Sequence, residues 1–275
     1  MKTGQRSNFR IEQLKEIKES GFDCIDYSDF LNVEKPLYQL SDAEFEETMK
    51  AQKRVIDSVG LLVWQAHGPW RYPPRDAVPA ERAHWLDCCC RAIRGCALLG
   101  CQYFVIHPLM PFGERDEDPA LVKALNLEFF HALCDEGEKN GVVICMENMP
   151  FGGQIFARVA PMLEFIREVN SPWLKACLDT GHSACLGDSP TEAVYLLGKD
   201  YLATMHVHDN DGKKDQHLEP GCGVINWATF RKALSDIGFD GTLSIESNVP
   251  KDLSDEERAA YPARIARIAK ELAGN

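Results

Sequence analysis

The sequence lacks any Pro-, Gly- or Ser-rich linker or abrupt change of composition, so one domain is expected across residues 1–275. It lacks an apolar run of about 18 residues, which excludes a membrane-spanning helix of the usual kind. Met1 to Arg10 hold charges and no apolar stretch, as in a chain without a signal peptide. No CxxC pair has zinc-site spacing, although there are 11 cysteines, three of them adjacent (Cys88, Cys89, Cys90). An odd count in a long, core-rich chain reads as small buried hydrophobes in a reducing compartment, so a cytoplasmic location is expected. Basic residues are in deficit, 30 Lys and Arg against 42 Asp and Glu, giving a net charge of −12. That balance speaks against passive attraction to a phosphate backbone or an anionic membrane. Neither GxGxxG nor GxxxxGK[ST] occurs, which argues against an open, doubly wound nucleotide-binding sheet. The oligomeric state is left open, a homo-oligomer included.

What is present is alternation. Short apolar runs rich in β-branched and aromatic residues follow longer segments of helical period. The runs are a weak first strand near Met1–Asn8, then Phe22–Tyr27, Leu61–Ala66, Cys101–Ile106, Val142–Met146, Leu174–Leu178, Tyr201–Met205 and Thr242–Ile245. Helices are expected between them, several stopping at glycine, with a closing helix over Ser254–Ala273. Eight strand–helix units of this length predict a closed parallel (β/α)8 TIM barrel, class α/β.

The residues that end the runs carry the functional signal. Strands three to eight end at or just beyond His67, His107, Glu147, Asp179 (with His182 three residues on), His206 and Glu246. In a barrel these converge on the carboxyl rim, where active sites of this fold are built. One such residue is ordinarily a solvated loop group, but six successive strands each supply one. Six of the eight histidines (67, 107, 182, 206, 208, 217) fall in these segments, and only His84 and His131 lie on helices. Carboxylates and imidazoles in a closed mouth are costly to bury without a cation. The donor set suits a divalent metal such as Mn, Zn, Mg or Co.

The segments MENMP (146–150), LDTGH (178–182), MHVHD (205–209), HLEPGCGVINW (217–227) and SIESN (244–248) resemble the xylose isomerase-like barrel superfamily. That group holds sugar isomerases and epimerases, inosose dehydratases and abasic-site endonucleases of the endonuclease IV type. The resemblance to the epimerase branch implies one metal on Glu147, Asp179, His206 and Glu246. It implies His182 at the substrate, and Glu147 and Glu246 as an acid–base pair on the two faces of a sugar carbon. The substrate implied is a small sugar, sugar phosphate or cyclitol. The resemblance to the endonucleases implies two or three metals, adding His67, His107, His182, Asp215 and His217 as ligands. This chain departs from that branch in Gly181, where the endonucleases carry Cys, and in His208, where they carry Asn. It departs again in the spacer of eight residues between His206 and Asp215, and in the His67-Gly68-Pro69-Trp70-Arg71 segment. Sugar chemistry is therefore the expectation, ahead of dehydration and abasic-site cleavage, with a non-catalytic metal-holding barrel as the remaining reading.

His67, His107 and His208 are further expected substrate contacts. Trp70, Arg71 and Tyr72, in a Pro-rich loop beside the rim, could stack on a sugar or bind an anionic group; a loop packed on its neighbours is the alternative. Asn148 and Asn248, next to the ligand glutamates, are candidates for orienting them.

Overall fold

Short apolar runs, each followed by a segment of helical period, fold here as strands and helices in succession. A computed structural model of the protein describes residues 1–71 and 75–274; Tyr72, one of the expected loop contacts, lies outside them. The strands are β1 (Lys2–Ser7), β2 (Cys24–Tyr27), β3 (Leu62–His67), β4 (Tyr103–Ile106), β5 (Val143–Glu147), β6 (Leu174–Asp179), β7 (Leu202–Val207) and β8 (Thr242–Ile245). Each pairs in parallel with its sequence neighbours and β8 closes on β1, so the expected (β/α)8 barrel is what forms.

The helices are α1 (Ile11–Ser20), α2 (Asp42–Val59), α3 (Pro79–Leu99), α4 (Pro119–Asn140), α5 (Val159–Val169), α6 (Thr180–Cys185), α7 (Pro190–Tyr201), α8 (Trp227–Asp236) and α9 (Asp255–Ala273). Local chemistry sets their ends. Ser41 and Glu44 form a reciprocal capping box at the start of α2, and Gly100 stops α3 in the left-handed region at φ 69°. The short α6 was not expected from the sequence. It starts because the Asp179 carboxylate accepts the backbone N–H of His182 at 2.7 Å, an N-cap made by a residue also expected to hold metal.

Alternate strand residues point outward, where Met146, Leu178, Met205 and Val207 join the main core with the helices. Inside the barrel, Val105, Cys145 and Cys177 make a small apolar cluster beneath the rim on the side of β4, β5 and β6. Two register shifts position the rim. One, between Ile25 and Asp26, brings Asp26 beside Gln65; the other, between Ala176 and Cys177, brings Asp179 beside His206.

The loops above β3 and β4 are fastened by Arg71. The residue is 1% exposed, and its guanidinium donates to the carbonyls of His107 (2.7 Å) and Pro108 (3.0 Å), pairs with Asp76 (3.3 Å) and lies over the Phe129 ring. The Asp76 carboxylate also accepts the Met110 N–H at 2.8 Å. Arg71, expected as a substrate contact, is thus the centre of a buried clamp that sets the height of His107. Truncating one partner of such a pair leaves the other charge buried and alone. Asp76→Ala is expected to lower unfolding free energy by about 3–5 kcal/mol in urea titration; a loss below roughly 1 kcal/mol would mean that the clamp is solvated.

Candidate metal centre

The rim residues fall into three overlapping groups. In the first, Glu147, Asp179, His206 and Glu246 each present a donor atom within 4.8 Å of the others. His206 Nδ1 is 2.7 Å from Glu147 Oε1 and 3.3 Å from Glu246 Oε2. All four are buried, because they stand at the inner face of β5–β8 or one residue past it.

The second group surrounds the other oxygen of Glu147. His107 Nε2 lies 3.0 Å and His67 Nε2 3.3 Å from Oε2. Neither approach has the angle of a hydrogen bond, and Oε2 is left with no hydrogen-bond partner. Of these, His67 and Glu147 join His206 in a set whose donor atoms lie within 4.8 Å of one another and could hold an ion, whereas His107, expected as a possible further ligand, joins no such set among the described residues.

The third group is His182, His208, Asp215 and His217. Asp215 Oδ2 is 3.1 Å from His217 Nε2 and 3.5 Å from His182 Nε2. This half rests on loops. Asn148 holds α6 in place, accepting the Asp179 N–H (2.8 Å) and donating to Ser183 Oγ (3.2 Å), while its carbonyl faces His182 Nδ1 at 2.7 Å. The β7–α8 loop folds around buried Asp209, whose carboxylate accepts from the N–H groups of Asn210, Gly221 and Ile225 and from Trp227 Nε1. His217 takes a left-handed backbone (φ 51°), costly for a non-glycine residue, and is held there by the Asn248 N–H on its carbonyl at 2.8 Å. The exposed Asn248 thus contributes through its backbone, not through the side chain expected.

His208 does not reach the mouth as a substrate contact would. It is fully buried, with Nε2 3.0 Å from Asp179 Oδ2 and its ring stacked on His217 at 3.9 Å. A Cβ at Gly181 would lie 2.0 Å from His208 Cε1. The two departures from the endonuclease pattern, Gly181 and His208, are therefore one exchange: the imidazole takes the space a side chain at 181 would need.

Two residues escaped the sequence reading. Asp26, inside the apolar run of β2, has Oδ2 2.9 Å from His206 Nε2. Arg6 of β1 reaches Glu246 Oε1 at 2.8 Å. Above the floor opens a cavity of about 700 Å3 with Leu31, Trp70, Met149 and Phe151 in its walls; Trp70 meets His107 edge-on at 4.8 Å. Trp70, His67, His107 and His182 line it as expected, whereas Arg71 does not.

Crowding opposite charges displaces the titrations. Burial disfavours the ionised form of Glu147, yet His206 and His107 outweigh it and hold the carboxyl well below its usual range. Glu246 is likewise opposed by burial, but His206 and Arg6 bring it down to about 2. Burial, joined by the neighbouring His67 and His182, pushes His107 down to about 4 against the pull of Glu147. It also opposes charge on His182, which Asp179, Asp215 and Glu147 nevertheless lift to about 10, and on His217, which Asp215 and Glu246 lift to about 9.

A family model of the xylose isomerase-like TIM barrel matches residues 14–270. The chain belongs to that family. Within it, the uncharacterised protein MJ1311 of Methanocaldococcus jannaschii is 31% identical over 170 residues, 61% of this chain and 58% of that protein. The match to a second protein of that organism, MJ1614, covers 56% of its length, so the chain spans under two thirds of both. The probable endonuclease 4 of Mesomycoplasma hyopneumoniae is 26% identical over 246 residues, 83% of this chain and 82% of the relative. Among solved structures, a D-psicose 3-epimerase determined in the presence of D-fructose superposes with a TM-score of 0.81 at 20% identity, over 100% of both chains. At that identity the likeness is one of fold.

Two outcomes test this geometry. His182 and His217 hold protons in the folded, metal-free chain that they would release near pH 6.5 when unfolded, so their stabilisation is complete below pH 6.5 and is lost as pH rises through about 9 and about 10. Glu246 acts in the other sense: its contribution is complete above pH 4.5 and lost as pH falls through about 2, and that of neutral His107 is lost between pH 6.5 and about 4. Melting of chelator-treated protein should peak near pH 6.5 and decline toward pH 10; a melting temperature that climbs through pH 9 contradicts this. Separately, Gly181→Ala is expected to cost about 1–3 kcal/mol by overpacking. Most of that loss should vanish in combination with His208→Asn, so additive losses in a double-mutant cycle would refute the exchange.

Proposed function

We propose that this chain, one barrel domain over residues 1–275, is a divalent-metal-dependent isomerase or epimerase of a small sugar or cyclitol. The observation that carries the reading is a pair of carboxylates, Glu147 and Glu246, both within reach of His206 Nδ1 on the floor of a cavity of about 700 Å3, room enough for a small sugar. Fold likeness to sugar 3-epimerases supports it. The residues fit a metal: Glu147 Oε2 is buried without a hydrogen-bond partner, the four donors lie within 4.8 Å of one another, and they are the hard and borderline ones such ions take. Glu147, Asp179, His206 and Glu246 would hold it, and a bound ion would supply Lewis acidity against the negative charge that builds on the sugar oxygens.

The rest falls to the chain. One of the two carboxylates takes the proton α to the substrate carbonyl, and the other returns a proton on the opposite face. The neighbouring histidines hold both carboxyls low, with Arg6 also on Glu246, so the acceptor stands ready ionised. The returning carboxylate must first take up a proton, from water or from an imidazolium such as His182, 3.9 Å from Glu147. Trp70 and Phe151 offer flat apolar surface to the C–H faces of the ring and narrow the path for water. If the same proton removal were followed by loss of a neighbouring hydroxide, the product would be that of a dehydratase. No described helix is long and apolar enough to cross a membrane, and all 11 cysteines are free, which suits a cytoplasmic enzyme.

A second reading has its own support. The His182, Asp215 and His217 group could hold a further ion, and relatives named as probable endonuclease 4 share much of the chain. That favours phosphodiester hydrolysis at abasic sites, against which stand the net charge of −12 and the two-residue exchange at Gly181 and His208. Metal-loaded protein is expected to interconvert at least one member of a ketose and cyclitol panel and to leave an abasic duplex intact. Glu246→Gln should lower turnover by about 10²–10⁴-fold without unfolding the barrel. Efficient nicking of the duplex with every sugar unchanged would overturn the sugar reading.

A further inference from the structure

Beneath the rim, the barrel interior is divided. Toward β4, β5 and β6 it is filled by Val105, Cys145 and Cys177, but β2 places Asp26 in the same interior, fully buried. A carboxylate there is a costly way to fill a core whose other side is apolar. Its contacts point to one neighbour. Oδ2 faces His206 Nε2 at 2.9 Å and accepts from Gln65 Nε2 at 2.9 Å and Ser244 Oγ at 3.4 Å, whereas Oδ1 has no hydrogen-bond partner. The register shift between Ile25 and Asp26 is what sets the residue beside Gln65. The His206 ring is thereby held at both nitrogens, Nε2 by Asp26 and Nδ1 toward Glu147 and Glu246.

We propose that Asp26 is the positioning residue of the metal centre: it fixes the His206 proton on Nε2 and so turns the Nδ1 lone pair to the cation. This rests on the reading of the site as a metal centre. A carboxylate on the far nitrogen sets the tautomer and ring angle of a ligand histidine and makes it the stronger donor. Asp26 does not line the cavity, so its influence falls on metal retention and not on sugar binding. Gln65 and Ser244 keep the carboxylate pointed at the ring, which makes the device a three-strand assembly of β2, β3 and β8 around a ligand on β7.

The test is a chelator competition with Zn2+ or Co2+ on the full-length protein and on Asp26→Asn, which keeps the shape and removes the charge. The variant should melt cooperatively and bind the ion about 10–100-fold more weakly, with KM for any sugar turned over at saturating metal unchanged. In wild-type protein labelled with 15N-histidine and loaded with Zn2+, His206 should appear as the Nε2–H tautomer, a readout that does not need the variant to fold. Binding by Asp26→Asn within about twofold of wild type, or an Nδ1–H tautomer for His206, overturns the inference. Wild-type protein that takes up no ion overturns the metal reading itself, and the inference with it.

Discussion

The Glu147 carboxylate, 1% exposed and ringed by imidazoles, is the interaction on which the rest depends. Oε1 faces His206 at 2.7 Å, and Oε2 faces His107 at 3.0 Å and His67 at 3.3 Å. His182 Nδ1 stands 3.9 Å from Oε1. A charge buried this deeply persists only where opposite charge is brought to it, as protons on the histidines or as a cation among them. Glu147 contributes to the rise of His206 and His182, whereas His206 and Arg6 bring Glu246 down.

The donors around Glu147 come from two kinds of support. Asp179, His206 and Glu246 stand on or directly beside strands of a closed sheet, whose hydrogen-bonded register leaves little freedom. Asp215 and His217 stand on the β7–α8 loop, kept in shape by the bonds to Asp209 and by the left-handed backbone at His217. The strand-borne half sits deeper, and Asp179 and His206 are closed to solvent; the loop-borne half is more open, with Asp215 side-chain exposure of 29%. A barrel built this way can keep its strand-borne floor fixed while its rim varies.

Much of this was legible in the chain. Short apolar runs alternating with helical segments, glycine-terminated helices and a His, Asp or Glu at the end of six successive runs identify the barrel and its rim. Asp26 was not legible because it interrupts an apolar run without ending it, and only the register of β2 against β3 shows that it faces inward under His206. Arg6 lies on the weakest strand in hydrophobic pattern, where the inward phase cannot be read. Arg71 carried the right chemistry for an anion contact, but its direction depends on carbonyls 36 and 37 residues away that no local pattern encodes. His208 likewise has the spacing of a rim residue, yet Gly181 leaves a space beneath the rim that draws it inward.

The most direct measurement is anomalous diffraction at the Zn or Mn absorption edge from crystals grown with that ion. The account predicts a peak enclosed by Glu147, Asp179, His206 and Glu246. Crystals grown near neutral pH in the presence of Zn2+ or Mn2+ that show no peak there, with those four side chains bonded only to one another, would contradict it.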